Sequence, residues 1–294
     1  MQGAEAKFSG SCISMCGPVL AHLATMTRIA VIGGGKIGGA LVGGLIDGGV
    51  SPSSIYVVGR TKESLAGLKE TYGIVDTDDP VGAVDGADVV FLCVKPYLII
   101  DMLEKIADVL DDSEVDTIVV SMAAGITLDK MEGVCAVGTP VIRVMPNTPM
   151  LVGKGVCAVA PGRFVTENQT DEVVGLLEKV GSVEVVDESL MSAVTAVSGS
   201  GPAYFFQFVE AMTDAGVNLG LKRDQAKRLA SATAAGAAEM MMQEGADPTA
   251  LRADVTSPGG TTAAATRVFE EEGIRRAVHR ALQACYDKAN EMGK

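Results

Sequence analysis

Between residues 28 and 187, short apolar runs alternate with longer stretches in which apolar positions recur at helical spacing. This alternation is typical of βαβ units that build a parallel sheet. The apolar runs that we predict to be strands are 29–32, 55–58, 89–94, 118–121 and 141–144, with 156–160 and 183–186 as extensions of the same sheet. Helices are predicted between them at 37–47, 62–72, 98–110 and 128–133. Because the runs are apolar throughout, the strands should be covered on both faces.

After about Asp187 the strand pattern stops, and long segments rich in alanine and methionine follow. They predict helices at 202–219, 224–244 and 262–290, separated by clusters of glycine and proline. The chain is therefore an α/β protein with a first domain at 27–187 and an all-helical second domain at 188–294. Residues 229–238 have small side chains on every face, which fits either a helix in an interface or an ordinary buried core helix.

Residues 1–26 form an extension ahead of the first predicted strand. The mildly apolar stretch 12–24 is similar to a signal-peptide core, but only Lys7 is basic before it and Glu5 offsets that charge. Met26 would make a natural start. We interpret 1–26 as a dispensable, disordered or misassigned extension, and a targeting role is the alternative.

Charge and cysteine content narrow the classes of partner. The formal net charge of −13 disfavours binding to nucleic acid and to anionic lipid. No apolar run reaches the roughly 18 residues that cross a membrane. The six cysteines are scattered without zinc-site spacing, so we predict no metal and expect reduced thiols in a cytoplasmic protein.

The strongest local motif is Gly33-Gly-Gly-Lys-Ile-Gly38, at the point where the first predicted strand meets the first helix. In such a motif Gly33 permits the tight turn, Gly35 lets a pyrophosphate approach the backbone, and Gly38 permits close packing of the helix. The phosphates would lie at the helix N-terminus beside Lys36 and Ile37. The first domain is therefore predicted to be a Rossmann domain that binds a dinucleotide.

The end of the second strand indicates which dinucleotide is bound. NAD enzymes place an acidic residue there, whereas this strand is followed by Arg60, Thr61 and Lys62. Two cations can pair with a 2′-phosphate and the hydroxyl can donate to it. We therefore predict NADPH, with NADH possible; the alternative is that Arg60 and Lys62 are merely solvated residues at a helix start.

The end of the third long strand carries Val94, Lys95 and Pro96. Pro96 would fix the turn beside the switch point, where sheets of this kind bind ligands. Lys95 would then approach the cofactor, and a plain surface lysine is an equally good interpretation.

Two further glycine-rich turns precede helices of the second domain, at 198–203 and 254–263. Backbone amides and hydroxyls at a helix start can hold a carboxylate without any arginine. A simple helix cap would explain Thr261 or Thr262, but it leaves the rest of the Ser257-Pro-Gly-Gly-Thr-Thr262 string unexplained.

Taken together, these motifs resemble those of the pyrroline-5-carboxylate reductase family, and the resemblance extends over residues 28–292. The resemblance depends on six strings in the family's order and spacing: Ile32-Gly-Gly-Gly-Lys-Ile-Gly38, Val94-Lys-Pro96, Ala123-Ala-Gly-Ile-Thr127, Met145-Pro-Asn-Thr-Pro149, Val197-Ser-Gly-Ser-Gly-Pro-Ala-Tyr204 and Ser257-Pro-Gly-Gly-Thr-Thr262.

The resemblance implies an NAD(P)H-dependent reductase that converts 1-pyrroline-5-carboxylate, a small cyclic imine, to L-proline. It implies a homodimer that interlocks through the helical domain, with dimers assembling further into rings such as a decamer, and an active site at the dimer interface. The substrate carboxylate would be held by Ser257, Gly260 and Thr261, and Thr262 would meet the ring nitrogen. Asn147 would lie near the nicotinamide.

Two other functions remain open from the residues. A hydroxyacid dehydrogenase or imine reductase shares the domain plan, but a 3-hydroxyacid enzyme would need a lysine on the helix that starts near Gly201, and 201–210 contain none. The second alternative is a protein that binds NADPH without turnover, which the complete Ser257-to-Thr262 string disfavours. Because a protonated imine is already electrophilic, hydride transfer needs positioning more than a strong acid.

Overall fold

The computed structural model describes residues 27–111 and 115–293, apart from the side chain of Lys62. The predictions made for residues 1–26 lie outside this part of the chain.

The described residues contain one eight-stranded sheet. Its strands are β1 (Ile29–Ile32), β2 (Ile55–Val58), β3 (Val75–Thr77), β4 (Val89–Leu92), β5 (Ile118–Ser121), β6 (Val141–Met145), β7 (Gly155–Pro161) and β8 (Gly181–Val185). The order across the sheet is β3-β2-β1-β4-β5-β6-β7-β8. The predicted strands are thus confirmed, except that β4 ends at Leu92.

One pair breaks the parallel pattern, because β7 runs antiparallel to β6. Parallel neighbours need a crossover of a dozen residues or more, usually with a helix. Only residues 146–154 connect β6 to β7. A connection this short can only reverse the chain direction, so the sheet is mixed rather than wholly parallel.

Helices cover both faces of the sheet, as the apolar strands require. One face packs on α1 (Lys36–Asp47) and α6 (Glu167–Leu177). The other face packs on α3 (Pro80–Val84), α4 (Ile99–Asp111) and α5 (Leu128–Glu132), and α2 (Ala66–Tyr72) lies between β2 and β3 in the chain. The first domain is therefore a three-layer α/β/α structure.

Among the described residues, five α-helices and strands were not predicted: β3, α3, α6 and, in the second domain, α7 (Met191–Val194) and α10 (Pro248–Asp254). Helix α6 had a readable signal, because Thr166 and Gln169 form a reciprocal capping box at its start. Asp247 likewise caps α10 by accepting from the amides of Thr249 and Ala250. The caps of α6 and α10 were therefore visible in the sequence, although neither segment contains a long apolar run.

The second domain is helical throughout the described residues. After α7 (Met191–Val194) and a π-helical turn at Thr195–Gly199 come α8 (Gly201–Asn218), α9 (Arg223–Met241), α10, α11 (Thr261–Glu271) and α12 (Ile274–Gly293). The single long helix predicted at 262–290 is wrong. Gly273 adopts a φ of +74°, in the left-handed region that ends a helix, and it separates α11 from α12.

Few side chains of the helical domain are buried within one chain. Among the described residues from 188 onward, the buried positions are Met191, Ala196, Gly201, Thr213, Ala226 and Ala230. The small-residue segment 229–238 is mostly exposed along α9. The interpretation of that segment as a core helix within this chain is therefore wrong, whereas the interface interpretation remains.

The buried thiols of the first domain should be chemically inert. Burial raises the pKa of both Cys93 and Cys157 from 9.0 to about 12, and only the thiolate reacts with alkylating reagents. We expect iodoacetamide at about pH 8 to label Cys157 and Cys93 only after unfolding, as measured by peptide mass spectrometry with and without guanidinium chloride. Equal labelling of the native and unfolded protein would contradict this burial.

Candidate functional site

The glycine turn after β1 is held in place by the end of β4. Gly33 has a φ of +112°, and a Cβ atom there would lie 2.7 Å from the carbonyl oxygen of Cys93. At Gly38 a Cβ atom would collide with the carbonyl oxygen of Gly33. Both positions therefore require glycine, for the two reasons that the sequence predicted: a tight turn and close packing of the helix.

Gly35 faces open space, since no atom lies within 4 Å of where its Cβ would be. It precedes α1, whose start has neither a side-chain cap nor an acidic residue in its first turn. Lys36 is exposed, and Ile37 is half-buried against the core. The free amides and the positive end of the helix dipole form a cradle that fits a pyrophosphate.

The end of β2 is a polar turn. The hydroxyl oxygen of Thr61 accepts from the amide of Ser64 at 3.3 Å, and the Ser64 hydroxyl donates to the Thr61 carbonyl at 2.6 Å. The Thr61 hydroxyl hydrogen stays available to a ligand. Arg60 is exposed, and no described carboxylate pairs with it. Lys62 begins the 3₁₀ turn, but its side chain lies outside the described part.

The Val94-Lys95-Pro96 string lies beside the glycine turn. The amide nitrogen of Val94 comes within 3.2 Å of the position that a Cβ of Gly33 would occupy. Pro96 opens a 3₁₀ turn, Pro96–Leu98, and Lys95 precedes it with an exposed side chain. The structure therefore brings Gly33, Gly35 and Val94 together at one edge of the sheet, while the contact of Lys95 with a cofactor stays a prediction.

The Asn147 side chain is buried, and both of its polar groups are hydrogen-bonded within the protein. The side chain is only 7% exposed. The amide nitrogen Nδ2 donates to the carbonyl of Ser198 at 3.0 Å, and Oδ1 accepts from the amide of Val156 at 2.8 Å. Asn147 thus connects the end of β6 to β7 and to the first glycine-rich turn of the helical domain. Its proximity to the nicotinamide stays a prediction.

A hydrogen-bonded group around the π-helical turn was missed by the sequence reasoning. The Tyr204 hydroxyl donates to the carbonyl of Ala196 at 3.2 Å, and the Cys285 thiol of α12 lies 3.3 Å from the Ser200 hydroxyl. Burial, with the neighbouring Cys285, raises the pKa of Tyr204. The Ser198-to-Tyr204 string signalled a glycine turn, but its contact with α12 depends on residues 85 positions apart.

The Ser257-to-Thr262 string forms the turn that leads into α11. The amide of Gly260 donates to the carbonyl of Ser257 at 3.0 Å, and Gly259 has a φ of +71°. Ser257 and Thr261 are exposed, and Thr262 is half-buried. Because α11 starts with neither a side-chain cap nor an acidic residue, its first amides remain free for an anion.

The ring and ion-pair contacts of α11 lie within the helical domain. Phe269 lies with its ring 6.0 Å from that of Phe208 on α8, and Glu270 pairs with Arg252 of α10. Helix α11 thus packs within the helical domain, whereas α1 packs on the sheet. The two helix starts that can accept an anion, those of α1 and α11, belong to different domains of the chain.

Among the described residues, no cluster of three or more histidine, cysteine, aspartate or glutamate side chains could hold a metal ion. None of the described helices is both long and apolar enough to cross a membrane.

Two family profiles match the chain. The profile described as pyrroline-5-carboxylate reductase dimerisation matches residues 188–292. The profile described as NADP oxidoreductase, coenzyme F420-dependent, matches residues 28–125. Residues 126–187, which include β6, β7 and β8, lie between the two matched segments.

Individual proteins agree with the profiles. A pyrroline-5-carboxylate reductase of Corynebacterium melassecola is 54% identical over 269 residues, covering 92% of this chain and all of that protein. A solved pyrroline-5-carboxylate reductase of Coxiella burnetii has a TM-score of 0.88 at 36% identity, covering 92% of this chain and 100% of that chain. The Plasmodium falciparum pyrroline carboxylate reductase, solved with NADP bound, has a TM-score of 0.79 at 26% identity, covering 91% and 98%. By identity and coverage, this chain belongs to the pyrroline-5-carboxylate reductase family.

Proposed function

We propose that this chain reduces 1-pyrroline-5-carboxylate to L-proline with NADPH, the last step of proline biosynthesis. The observation that carries the proposal is the uncapped turn at Ser257–Thr262, in a chain that also has a dinucleotide-type glycine turn at Gly33. A simple nucleotide-binding protein has no need for the first of these two features. Together they supply one place for an anionic substrate and one for a nicotinamide cofactor.

The nucleotide would be held at the carboxyl edge of the sheet. Free amides at the start of α1, from Lys36, Ile37 and Gly38, suit its phosphates, and the open space at Gly35 gives them room. Val94, Lys95 and Pro96 border the same turn. The bound cofactor supplies the hydride.

The proposed role of the second turn is to hold and orient the imine. The amide of Thr261 and the hydroxyl of Ser257 would bind the substrate carboxylate, and Gly260, whose own amide donates to the Ser257 carbonyl, would hold the turn that presents them. The Thr262 hydroxyl would hydrogen-bond the ring nitrogen. In the reduction a C–H bond forms at the imine carbon, the C=N π pair becomes the nitrogen lone pair, and the protonated nitrogen keeps its proton. Positioning is therefore the main task of these residues.

The preference for NADPH over NADH is proposed from the end of β2. The Arg60 guanidinium, which pairs with no carboxylate among residues 27–111 and 115–293, and the Thr61 hydroxyl hydrogen suit a 2′-phosphate, and Lys62 adds a second cation in the sequence. An acidic residue at this place would repel the phosphate, and none follows β2 before Glu63.

The proposed assembly is a homodimer formed through the helical domain. We assign the nucleotide-binding domain to residues 27–187 and the helical domain to residues 188–294. Exposed apolar side chains of α8 support this arrangement: Phe205 is 66% and Phe206 68% exposed in one chain. A patch of this kind usually marks an interface. A shared site would then combine α1 of one protomer with α11 of its partner, and dimers could build a ring such as a decamer.

The proposed compartment is the cytoplasm, where thiols remain reduced. The four described cysteines, Cys93, Cys135, Cys157 and Cys285, are all free.

The experiment that tests the activity follows NADPH absorbance with purified protein and 1-pyrroline-5-carboxylate, and it identifies the product as L-proline by chromatography. A 3-hydroxyacid with NADP⁺ is the comparison substrate for the dehydrogenase alternative. Failure to oxidise NADPH with the imine, when NADPH binding is measurable, would support the non-catalytic alternative instead.

Replacing Thr262 tests the proposed contact with the ring nitrogen. We expect Thr262→Ala to lower kcat about tenfold, because one hydrogen bond in the reacting complex is lost, while NADPH binding is unchanged. Thr262→Ser is the matched control, since it retains the hydroxyl and should retain most of the activity. Equal turnover of the alanine variant and the wild type would remove this role.

Replacing Arg60 tests the cofactor preference. Arg60→Ala should raise KM for NADPH about tenfold, because a charge-assisted hydrogen bond to the phosphate is lost. KM for NADH should change little, so NADH is the internal control. A parallel rise for both cofactors would mean that Arg60 does not distinguish them.

Introducing a charge on α8 tests the dimer. Phe206→Glu should shift the protein toward monomer in analytical ultracentrifugation, because an unpaired carboxylate would be buried in the interface. Val137→Glu is the matched control, since Val137 is an exposed apolar residue of the first domain. If both variants sediment like the wild type, the α8 face does not form the dimer.

A further inference from the structure

One carboxylate links the first residues of the helical domain to two elements of the nucleotide-binding domain. Oε1 of Glu188 accepts from the backbone amide of Leu128 at 2.7 Å and from Nη1 of Arg143 at 2.9 Å. Leu128 is the first residue of α5, and Arg143 lies in the middle of β6. The Arg143 side chain is 11% exposed and that of Glu188 is 31% exposed, so the pair is shielded from much of the solvent.

The strand that carries Arg143 makes a second connection to the helical domain. Beyond its end, Asn147 donates to the carbonyl of Ser198. The Met145 side chain packs against Gly199, where a Cβ atom would collide with its methyl group. Strand β6 and the turn after it therefore contact both ends of the segment 188–199, which leads into α8.

The last helix returns to the same side of the nucleotide-binding domain. Nζ of Lys130, on α5, donates to the carbonyl of Gly293 at 3.1 Å. A Cβ atom added at Gly125, shortly before α5, would lie 3.4 Å from the Cβ of Met292. The Ala123-to-Thr127 string has no role in the proposed reaction. It leads into α5, which contacts both the start and the end of the helical domain.

We propose that the Arg143–Glu188 pair fixes the orientation of the helical domain on β6 and α5, and thereby the distance over which hydride is transferred. This inference rests on the proposed function. Glu188 and Arg143 are positioning residues, since they set the angle between the domain that carries α1 and the helical domain, which in the proposed dimer would pack on the partner's helical domain with its α11. A displacement of about 1 Å between reacting atoms can lower a rate by about 10²-fold, so a small rotation at this joint affects turnover.

A purely local, stabilising role is the competing explanation, and the chain contains a matched pair that separates the two. Glu132 of α5 also accepts from a backbone amide and from an arginine, both belonging to Arg163. Its side chain is 7% exposed. Both partners lie in the nucleotide-binding domain, so this pair can contribute to stability but does not connect the two domains.

The test compares Glu188→Ala, Arg143→Met, their double variant and Glu132→Ala in the full-length protein. We expect the first two each to lower kcat about tenfold, with the dissociation constant for NADPH alone unchanged. The double variant should be no slower than either single variant, because the two residues act as one unit. Glu188→Gln, which retains an acceptor for the Leu128 amide, should be intermediate and serves if the alanine variant fails to fold.

Two further measurements distinguish positioning from stability. With NADPH deuterated at C4, the primary isotope effect on kcat should increase in Glu188→Ala, because hydride transfer becomes slower than the other steps. Amide hydrogen exchange at Leu128 and over residues 188–199 should increase, while exchange in β1 and β4 stays the same. Glu132→Ala should lower the melting temperature with kcat within about twofold of the wild type.

The inference is overturned if Glu188→Ala retains wild-type kcat and isotope effect, or if Glu132→Ala lowers kcat as much. It is also overturned if exchange at 188–199 is unchanged. A wild type that binds NADPH but does not reduce the imine would refute the proposed function, and the exchange experiment would still decide whether this pair joins the domains.

Discussion

The helical domain has too little core of its own to bury its apolar side chains, and most features of this protein depend on that constraint. Burying a large apolar side chain contributes about 1.5–3 kcal/mol, yet Phe205, Phe206 and Leu229 are mostly exposed in one chain. Close approach of α8 and α9 at Gly216 brings the two helices together without creating a deep core. In the proposed dimer a second copy would cover these faces and provide the missing burial, and the turn before α11 would face the partner's sheet edge.

The nucleotide-binding domain stands in contrast, because it is completed within one chain. Apolar strands are covered on both faces, and the glycine turn is fixed by backbone contact with Cys93 rather than by flexible side chains. A cradle built of backbone amides is rigid before a ligand arrives, which lowers the entropic cost of binding. The contacts of Arg143, Glu188 and Asn147 join this domain to the helical one, and in the proposed enzyme they would set how cofactor and substrate meet.

The family and activity rest on different observations. A glycine turn at the end of β1 fits many oxidoreductases, and a solved prephenate dehydrogenase at 17% identity shares the fold alone. What distinguishes this chain is the turn at Ser257–Thr262 together with identity to pyrroline-5-carboxylate reductases over nearly the whole chain. The proposed chemistry needs no histidine or metal, since a protonated imine accepts hydride once it is correctly placed.

Several parts of the fold could be predicted from sequence because their causes are local. Continuous β-branched runs gave the main strands, and Gly33 and Gly38 were assigned the correct structural reasons for being glycine. The prediction of a helix over 262–290 failed at Gly273, although a glycine directly after the three glutamates 270–272 was a visible signal for a break. Helix α6 was missed despite the Thr166–Gln169 capping box, and short β3 had too few residues to produce a period.

By itself, the sequence determined the α/β fold class, the two-part organisation and the chemical character of both turns, because backbone freedom, side-chain volume and charge are properties of neighbouring residues. Only the tertiary structure decided that β7 runs antiparallel, that Asn147 uses its side chain to connect β6, β7 and Ser198, and that Glu188 contacts both Arg143 and Leu128. Those contacts join residues 9 to 60 positions apart. Which distant groups meet is set by how the layers pack, and no local pattern of hydrophobic and polar residues contains that information.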